Sequence, residues 1–382
     1  MLGGGVRVCT PPPPVVSRDV IEMSPRVKSP GAEPAGETLT LGQPLVQSAA
    51  LLLPPRFERL RVALEESLAS RIDDPEPIHQ LRVATRRCAT AVDLLGVLIP
   101  TDLRRPVLRQ LKQLRQICGP ARDLDIQRAF YERLLTEADA RDLAVIDLLY
   151  ERGTSRREKL QQDLLDGIAR RRRKLERRCT DVLAHLDLLR ERTSAPCGRL
   201  GETALPLLTG LLQRVCDQAP GPNSSSAQLH RLRIAGKKLR YACELFQPLL
   251  EPEYSTLLAP QLIALQDELG NHHDAQVAEE QLAELRQRWK QKRLRPNWDH
   301  KPQGLFSWKE LSAGLRFVAR VHADRAAAAR ERFFQLWPDF STTAFRLPLE
   351  ARLRQLSSAP SRGKRSPGTA PGARPQSDRS VP

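Results

Sequence analysis

Between about residues 46 and 340, apolar positions recur at spacings of three and four along a chain rich in leucine, alanine, glutamine, glutamate and arginine. β-Branched residues rarely alternate with polar ones in this stretch, so the pattern predicts helices rather than strands. Breakers divide it into about ten helices. These breakers are Pro100 and the segments "CGPARD", "APCGRLGE", "APGPNSSS", "LEPEY" and "LGNHHD". The predicted fold class is all-α.

The two ends of the chain have a different composition. Residues 1–45 are rich in proline and glycine, and residues 357–382 form a basic tail rich in serine and proline. Neither segment has enough apolar surface to offset the entropy of ordering, so both are predicted to be disordered. The helical domain is then expected at 46–340, with a first half at about 46–150, a long polar linking helix at about 153–192 and a second half at about 199–335.

The two halves repeat each other at one constant offset of 151 residues. The segment "IHQLRVATRR" (78–87) returns as "LHRLRIAGKK" (229–238), and the correspondence continues for about fifty residues. The aligned pairs are His79 with His230, Arg82 with Arg233, Arg86 with Lys237, Arg87 with Lys238, Gly119 with Gly270, and Asp123 with Asp274. Such a repeat implies two similar helical bundles related by an approximate two-fold axis.

The repeated glycine and aspartate have a structural interpretation. Gly119 and Gly270 each follow a predicted helix, and glycine commonly ends helices. Asp123 and Asp274 are then expected to cap the next helix start.

The repeated helix carries a cationic stripe opposite its apolar stripe. At 100° per residue, His79, Arg82 and Arg86 share one face, and Leu81, Cys88, Val92 and Leu95 cluster on the other. In the second copy, His230, Arg233, Lys237 and Arg240 lie opposite Leu232, Leu239, Cys243 and Phe246. Cations spaced three or four apart repel one another. Because both copies keep this unfavourable pattern, a bound anion is the preferred explanation over an ordinary solvated face.

The net charge supports anion binding, and the cysteine content indicates the cellular compartment. The chain has 61 basic and 45 acidic residues, a net charge of +16, which attracts polyanions or anionic surfaces. Its seven cysteines are scattered, odd in number and without a C-x-x-C pair, as expected in a reducing cytoplasm. No run approaches the roughly 20 apolar residues of a membrane span, so no membrane insertion is expected.

Two alternatives compete with a simple anion site. Sequence-independent nucleic-acid binding fits the charge and the basic run "ARRRRKLERR" at 169–178, although aromatic residues make up only 4% of the chain and offer little for base stacking. A metal-dependent phosphohydrolase would use His79 with Asp123, or His230 with the "HHD" cluster at 272–274. The first half has Ala121 and Arg122 at the positions that match His272 and His273, so the cluster is not repeated. No P-loop or nucleophile-elbow motif is present, so binding without catalysis and without a cofactor is the preferred hypothesis.

The repeated segments resemble the two half-domain signatures of the CHAD family, an α-helical family named for its histidines. The resemblance rests on "IHQLRVATRR" with "LKQLRQICGPARDLDIQ", and on "LHRLRIAGKKLRYACELF" with "LIALQDELGNHHDAQVA". It covers roughly residues 45–340 and implies two pseudo-symmetric four-helix bundles whose basic faces surround a cavity or pore. It also implies binding of inorganic polyphosphate in the cytoplasm and association with polyphosphate or other storage granules.

The resemblance and the repeat together define a candidate polyphosphate site. Its residues are His79, Arg82, Arg86, Arg87, Lys112, Arg122, His230, Arg233, Lys237, Lys238 and Arg240. Departures from the family pattern occur at Ala89, where another arginine is common, and at Ile263 and Ala264, where lysines are common. The resemblance therefore implies a second wall with fewer cations than usual.

Overall fold

The computed structural model of the protein describes residues 39–192, 198–293 and 307–358. The predicted leader up to residue 38 and the predicted tail from residue 359 onwards lie outside the described residues. Ten α-helices occur in the described part, which contains no β-strand, so the all-α prediction is confirmed. They are α1 (Leu45–Leu68), α2 (Glu76–Leu94), α3 (Thr101–Glu137), α4 (Ala140–Glu191), α5 (Leu200–Cys216), α6 (Ser226–Leu245), α7 (Gln247–Leu250), α8 (Ala259–Arg293), α9 (Trp308–Phe340) and α10 (Arg346–Ser358), with a π-helical turn at Tyr254–Leu258.

Helix α2 packs against α1, α3 and α6, and α6 packs against α5 and α8. Two long helical pairs, α3 with α4 and α8 with α9, extend from these helices. The main apolar core runs through α1, α2, α5, α6 and the adjoining parts of the long helices. A second apolar core joins the far end of the α3–α4 pair to that of the α8–α9 pair, around Phe130, Ile146, Leu282 and Leu315. The two long pairs therefore meet at their ends as well as at α2 and α6.

The predicted breaks at "CGPARD" and "LGNHHD" are wrong. Helix α3 continues through Gly119 and Pro120, and α8 continues through Gly270. Asp123 and Asp274 therefore lie inside helices and cap nothing. The helices are continuous because leucines on both sides of each glycine are buried in the core, and this packing outweighs the local cost of glycine or proline.

Three predicted boundaries also differ from the structure. The long polar helix begins at Ala140 rather than near residue 153, because Gly153 is a buried position inside α4 and the helix continues through it. The folded part begins before residue 46, since Leu39 is 7% exposed and the backbone of Leu200 donates to the carbonyl of Gln43. It extends beyond residue 340, because α10 packs against α5.

A buried ion pair fastens α4 to α3. The side chain of Arg157 is fully buried, and its Nε donates a 2.8 Å hydrogen bond to Oδ1 of Asp125, which is 2% exposed. Nη1 of Arg157 also donates to Oε1 of Gln161 on the same helix. Each charge is tolerated in this position because the other one is present.

We expect Asp125→Leu to lower the free energy of unfolding by about 3–5 kcal/mol, because it leaves a buried guanidinium without its counter-charge. The double variant Asp125→Leu/Arg157→Met should recover most of this loss. Urea unfolding followed by circular dichroism measures both. Asp187→Asn, which removes an exposed pair with Arg190, is the control and should barely move the midpoint. A double variant as unstable as the single one would contradict the assignment.

Candidate anion-binding site

The apolar stripes predicted for the repeated helices are buried. Leu81, Cys88, Val92 and Leu95 of α2 are all 0% exposed, as are Leu232, Leu239, Cys243 and Phe246 of α6. On the opposite face, His79, Arg82 and Arg86 are half-buried, as are His230, Arg233 and Lys237. The cationic stripes are therefore not fully solvated faces: both are partly covered by the neighbouring helices.

Glu244 joins α2 to α6 at one end of the cationic stripes. Its Oε2 accepts a 2.8 Å hydrogen bond from Nε of Arg87, and its Oε1 accepts a 3.1 Å bond from Nε of Arg240. Its backbone carbonyl accepts from Nη2 of Arg56 on α1 at 3.3 Å. Two of the predicted anion ligands, Arg87 and Arg240, thus already have a carboxylate partner and hold the two helices together.

One arginine of α2 and one of α3 each donate a hydrogen bond to a backbone carbonyl of the other helix. Nη1 of Arg82 donates to the carbonyl of Arg115 at 2.8 Å, and Nη1 of Arg115 donates to the carbonyl of Thr85 at 3.1 Å. Sequence reasoning missed Arg115 because the matching residue in the second half is Gln266. Helical spacing could have found it, since Arg115 precedes Gly119 and Arg122 by four and seven residues on one face of α3.

Arg86, a member of the α2 stripe, lies within electrostatic reach of cations on three helices. Its charge lowers the pKa of Arg82 and Arg115 on one side and of Arg233 and Lys237 on the other, in each case adding to the larger effect of burial. Residues from α2, α3 and α6 therefore bring their positive charges to one place. Such a cluster is unfavourable in the free protein and is relieved by an anion.

Lys237 is the most strongly affected member of this cluster. Burial, followed by the charges of Arg233 and Arg86, lowers its pKa to about 7, with a smaller opposing effect of Asp274. Its ammonium group is therefore only partly protonated at neutral pH. An anion placed beside it would favour the protonated form.

Histidines and unpaired donors border the cluster. The rings of His230 and His273 lie with centroids 4.5 Å apart. Burial, and then the charge of Arg233, lower the pKa of His273. Two buried polar atoms, Nδ1 of His230 and Nε of Arg233, have no hydrogen-bond partner among the described residues, although Nη2 of Arg233 lies 3.6 Å from Oδ1 of Asp274. A bound oxyanion is a suitable partner for such donors.

The remaining predicted residues are less uniform. Arg122 is half-buried, and its pKa is lowered by burial; the carboxylates of Asp125, Glu76 and Asp274 oppose this effect. Lys112 and Lys238 are exposed and lie outside the half-buried cluster. Sequence reasoning also missed Tyr241, a partly buried residue of α6 that lies near Arg87, Arg115 and Arg233. Its repeat counterpart is Thr90, so the repeat gave no signal for it.

The two histidines of the "HHD" segment lie in different environments. His272 is 5% exposed, and its Nδ1 lies 3.0 Å from the carbonyl oxygen of Ala326 on α9, whereas His273 contacts His230. Within the described residues, no group of three histidine, cysteine, aspartate or glutamate side chains could hold a metal ion. In the same part of the chain, no helix combines the length and the apolar composition that a membrane span needs.

The described structure is thus an all-helical protein in which two similar basic helices contribute cations to one partly buried cluster. The sequence model of the CHAD domain matches residues 55–283, more than half of the chain. The protein belongs to the CHAD domain family.

Two solved structures have a similar fold. The crystal structure of the CHAD domain from the plant Ricinus communis is 23% identical, with a TM-score of 0.56 over 83% of this chain and 94% of that one. PptA from Streptomyces chartreusis is 18% identical, with a TM-score of 0.54 over 78% of this chain and 100% of that one. No curated protein matches the sequence.

We expect the stability of the protein to depend on pH through Lys237. With a pKa of about 7 in the folded protein and 10.5 as its ordinary value, the unfolded chain binds more protons between these limits, so this residue makes stability rise with pH there. Lys237→Met should therefore exceed wild type in stability at pH 6 by more than at pH 9. Urea unfolding at both values measures the gap, with Lys238→Met as the exposed control. An equal gap at both pH values would contradict the lowered pKa.

Proposed function

We propose that the protein binds inorganic polyphosphate without catalysis, through the cationic stripes of α2 and α6 in a basic cavity between two pseudo-symmetric helical bundles. The observation that carries the proposal is the position of Arg86, within electrostatic reach of Arg82 and Arg115 on one side and Arg233 and Lys237 on the other. Family membership supports the choice of ligand, because some CHAD domains bind polyphosphate.

Matching contacts in the two halves support the pseudo-symmetry. Arg115 contacts the backbone of Thr85, and the residues 151 positions later, Gln266 and Gly236, are also neighbours, since a side chain added at Gly236 would collide with the Gln266 amide. Likewise the carboxylate of Asp123 acts on the pKa of Arg82, and Asp274 lies beside Arg233. These two pairs of contacts support the proposed pseudo-symmetry of the halves.

The chemistry of polyphosphate suits this arrangement. The polymer carries about one negative charge per phosphate, and guanidinium groups bind its oxygens through charge-assisted, sometimes bidentate hydrogen bonds. Successive cations of one stripe are separated by about one helical turn, 5.4 Å, so a chain can contact several of them at once. No base has to be recognised, which fits the low aromatic content. By the same extension from the family, we place the protein in the cytoplasm at polyphosphate-containing granules.

Arg82→Ala/Arg233→Ala should weaken binding of long-chain polyphosphate about 100-fold, because each charged hydrogen bond contributes about 1.5–3 kcal/mol. Fluorescence polarisation with labelled polyphosphate measures the loss. For the wild type, affinity should increase with chain length and fall steeply with salt. Arg105→Ala/Arg177→Ala, which removes two exposed arginines and changes the net charge equally, is the control.

Unchanged affinity of the Arg82/Arg233 variant, with its helical content intact, would refute the helix-face site. Competition identifies the alternative functions. Duplex DNA that displaces polyphosphate at equal charge concentration would favour nucleic-acid binding. Phosphate release in the presence of magnesium or manganese would identify an enzyme.

Binding should also depend on pH. Because the bound anion favours protonated Lys237, polyphosphate binding should take up protons and tighten as pH falls from 8 to 6. Lys237→Arg stays charged throughout this range and should flatten the dependence, whereas the exposed control Lys238→Arg should not. Isothermal titration calorimetry in buffers of different ionisation enthalpy measures the proton uptake. Equal pH dependence in Lys237→Arg and wild type would contradict this role of Lys237.

A further inference from the structure

A second potential ligand site lies away from the cationic stripes. A cavity of about 350 Å³ opens between α3, α4 and α8, beside the apolar core that joins the two long helical pairs. Among the described residues that line it, none belongs to the predicted anion-binding set. Its volume is within the range of about 300–1,000 Å³ that is typical of small-molecule pockets.

One side of the cavity is apolar. Leu124, Leu149, Leu282 and Leu285 line it and are between 3% and 9% exposed, together with Tyr131 at 6%. Burial raises the pKa of Tyr131 to about 12, so its ring carries a neutral hydroxyl group at physiological pH. The part of this surface that remains exposed is small, and a flat, largely apolar group can cover it, whereas a purely ionic ligand makes no favourable contact with it.

Three arginines line another part of the cavity. Arg152 and Arg156 are one turn apart on α4, and Arg288 extends from α8. The charges of the other two lower the pKa of Arg152, after the larger effect of burial. The Arg152 guanidinium also lies 5.6 Å from the ring centroid of Trp289, which orients it. Nε of Arg288 donates a 3.4 Å hydrogen bond to the carbonyl of Glu284, and its Nη2 lies 4.0 Å from the Glu284 carboxylate in an exposed pair, so a phosphate can compete for this guanidinium.

Polar groups complete the lining. The side-chain amide of Gln127 on α3 donates a hydrogen bond to that of Gln281 on α8. Asp123 is the one acid among the described lining residues, and its carboxylate can accept hydrogen bonds from hydroxyl or amino groups. A hydrocarbon chain would give the Asp123 carboxylate no hydrogen-bond partner. The ligand that uses the whole lining therefore combines an anionic end, a flat body and hydrogen-bond donors.

We propose that this cavity binds a nucleoside phosphate. The phosphates lie against Arg152, Arg156 and Arg288, and the base or ribose lies on the leucine and tyrosine surface within reach of Asp123 and the glutamine amides. Neither half of such a ligand matches the lining alone, since inorganic phosphate chains have no apolar part and a nucleoside has no charge. The inference does not depend on polyphosphate binding by α2 and α6.

Calorimetric titration of the full chain with ADP, adenosine and pyrophosphate tests the proposal. We expect ADP to bind at least tenfold more tightly than either of the other two. Arg152→Ala/Arg156→Ala should weaken ADP binding by tenfold or more, and so should Ala278→Phe, which fills the cavity without changing its charge. The control is Arg105→Ala/Arg177→Ala, which has the same net charge as the double arginine variant and should bind ADP like wild type.

Three results would overturn the proposal. The first is pyrophosphate binding as tightly as ADP, which would make the arginines a general anion surface. The second is no measurable ADP binding. The third is ADP binding that is unaffected by both the double arginine variant and the cavity-filling variant, with circular dichroism showing that each is folded. Polyphosphate binding that fails while ADP binding holds would reject the proposed function and leave this cavity assignment standing.

Discussion

The arrangement of the cations depends on one carboxylate, that of Glu244. It lies on α6 and is shared by Arg87 of α2 and Arg240 of α6, while its backbone carbonyl accepts from Arg56 of α1. Without it, two helices whose facing surfaces are positive would repel each other along their contact. This pairing gives Arg87 and Arg240 a carboxylate partner, while Arg233 lies 3.6 Å from a different carboxylate, that of Asp274. The Arg87–Glu244 ion pair therefore holds α2 and α6 together and keeps the half-buried cations around Arg86 close to one another.

The half-buried cations of this cluster destabilise one another in the folded protein. Burial lowers the pKa of Arg82, Arg115, Arg233 and Lys237, which means that their charged forms are less stable here than in water. The large apolar core supplies the stability that offsets this cost. A site prepared in this way gains more from a polyanion than a solvated surface does, because the repulsion is removed when the ligand binds.

Much of this could be predicted from sequence, and the failures have physical causes. Periodicity located the helices and the buried stripes of α2 and α6, because those stripes depend only on which face is apolar. The repeat selected Arg82 and Arg233, but it could not select Arg115 or Tyr241, whose counterparts differ. The repeat also selected Arg87 as an anion ligand, but it could not indicate that Arg87 pairs with Glu244, which is 157 positions away in sequence. The helix ends predicted at Gly119 and Gly270 were wrong because tertiary packing stabilises both helices beyond these glycines.

Asp123 has a consequence that extends beyond its own helix. Its carboxylate acts on Arg82 at the cationic cluster, and it also lines the cavity between α3, α4 and α8. A ligand that binds this carboxylate in the cavity weakens the attraction between Asp123 and Arg82. An anion bound at Arg82 likewise changes how strongly Asp123 can accept hydrogen bonds from a ligand in the cavity. Thermodynamic linkage makes such an effect reciprocal. If both proposed sites bind their ligands, Asp123 therefore couples them, and the occupancy of each changes the affinity of the other.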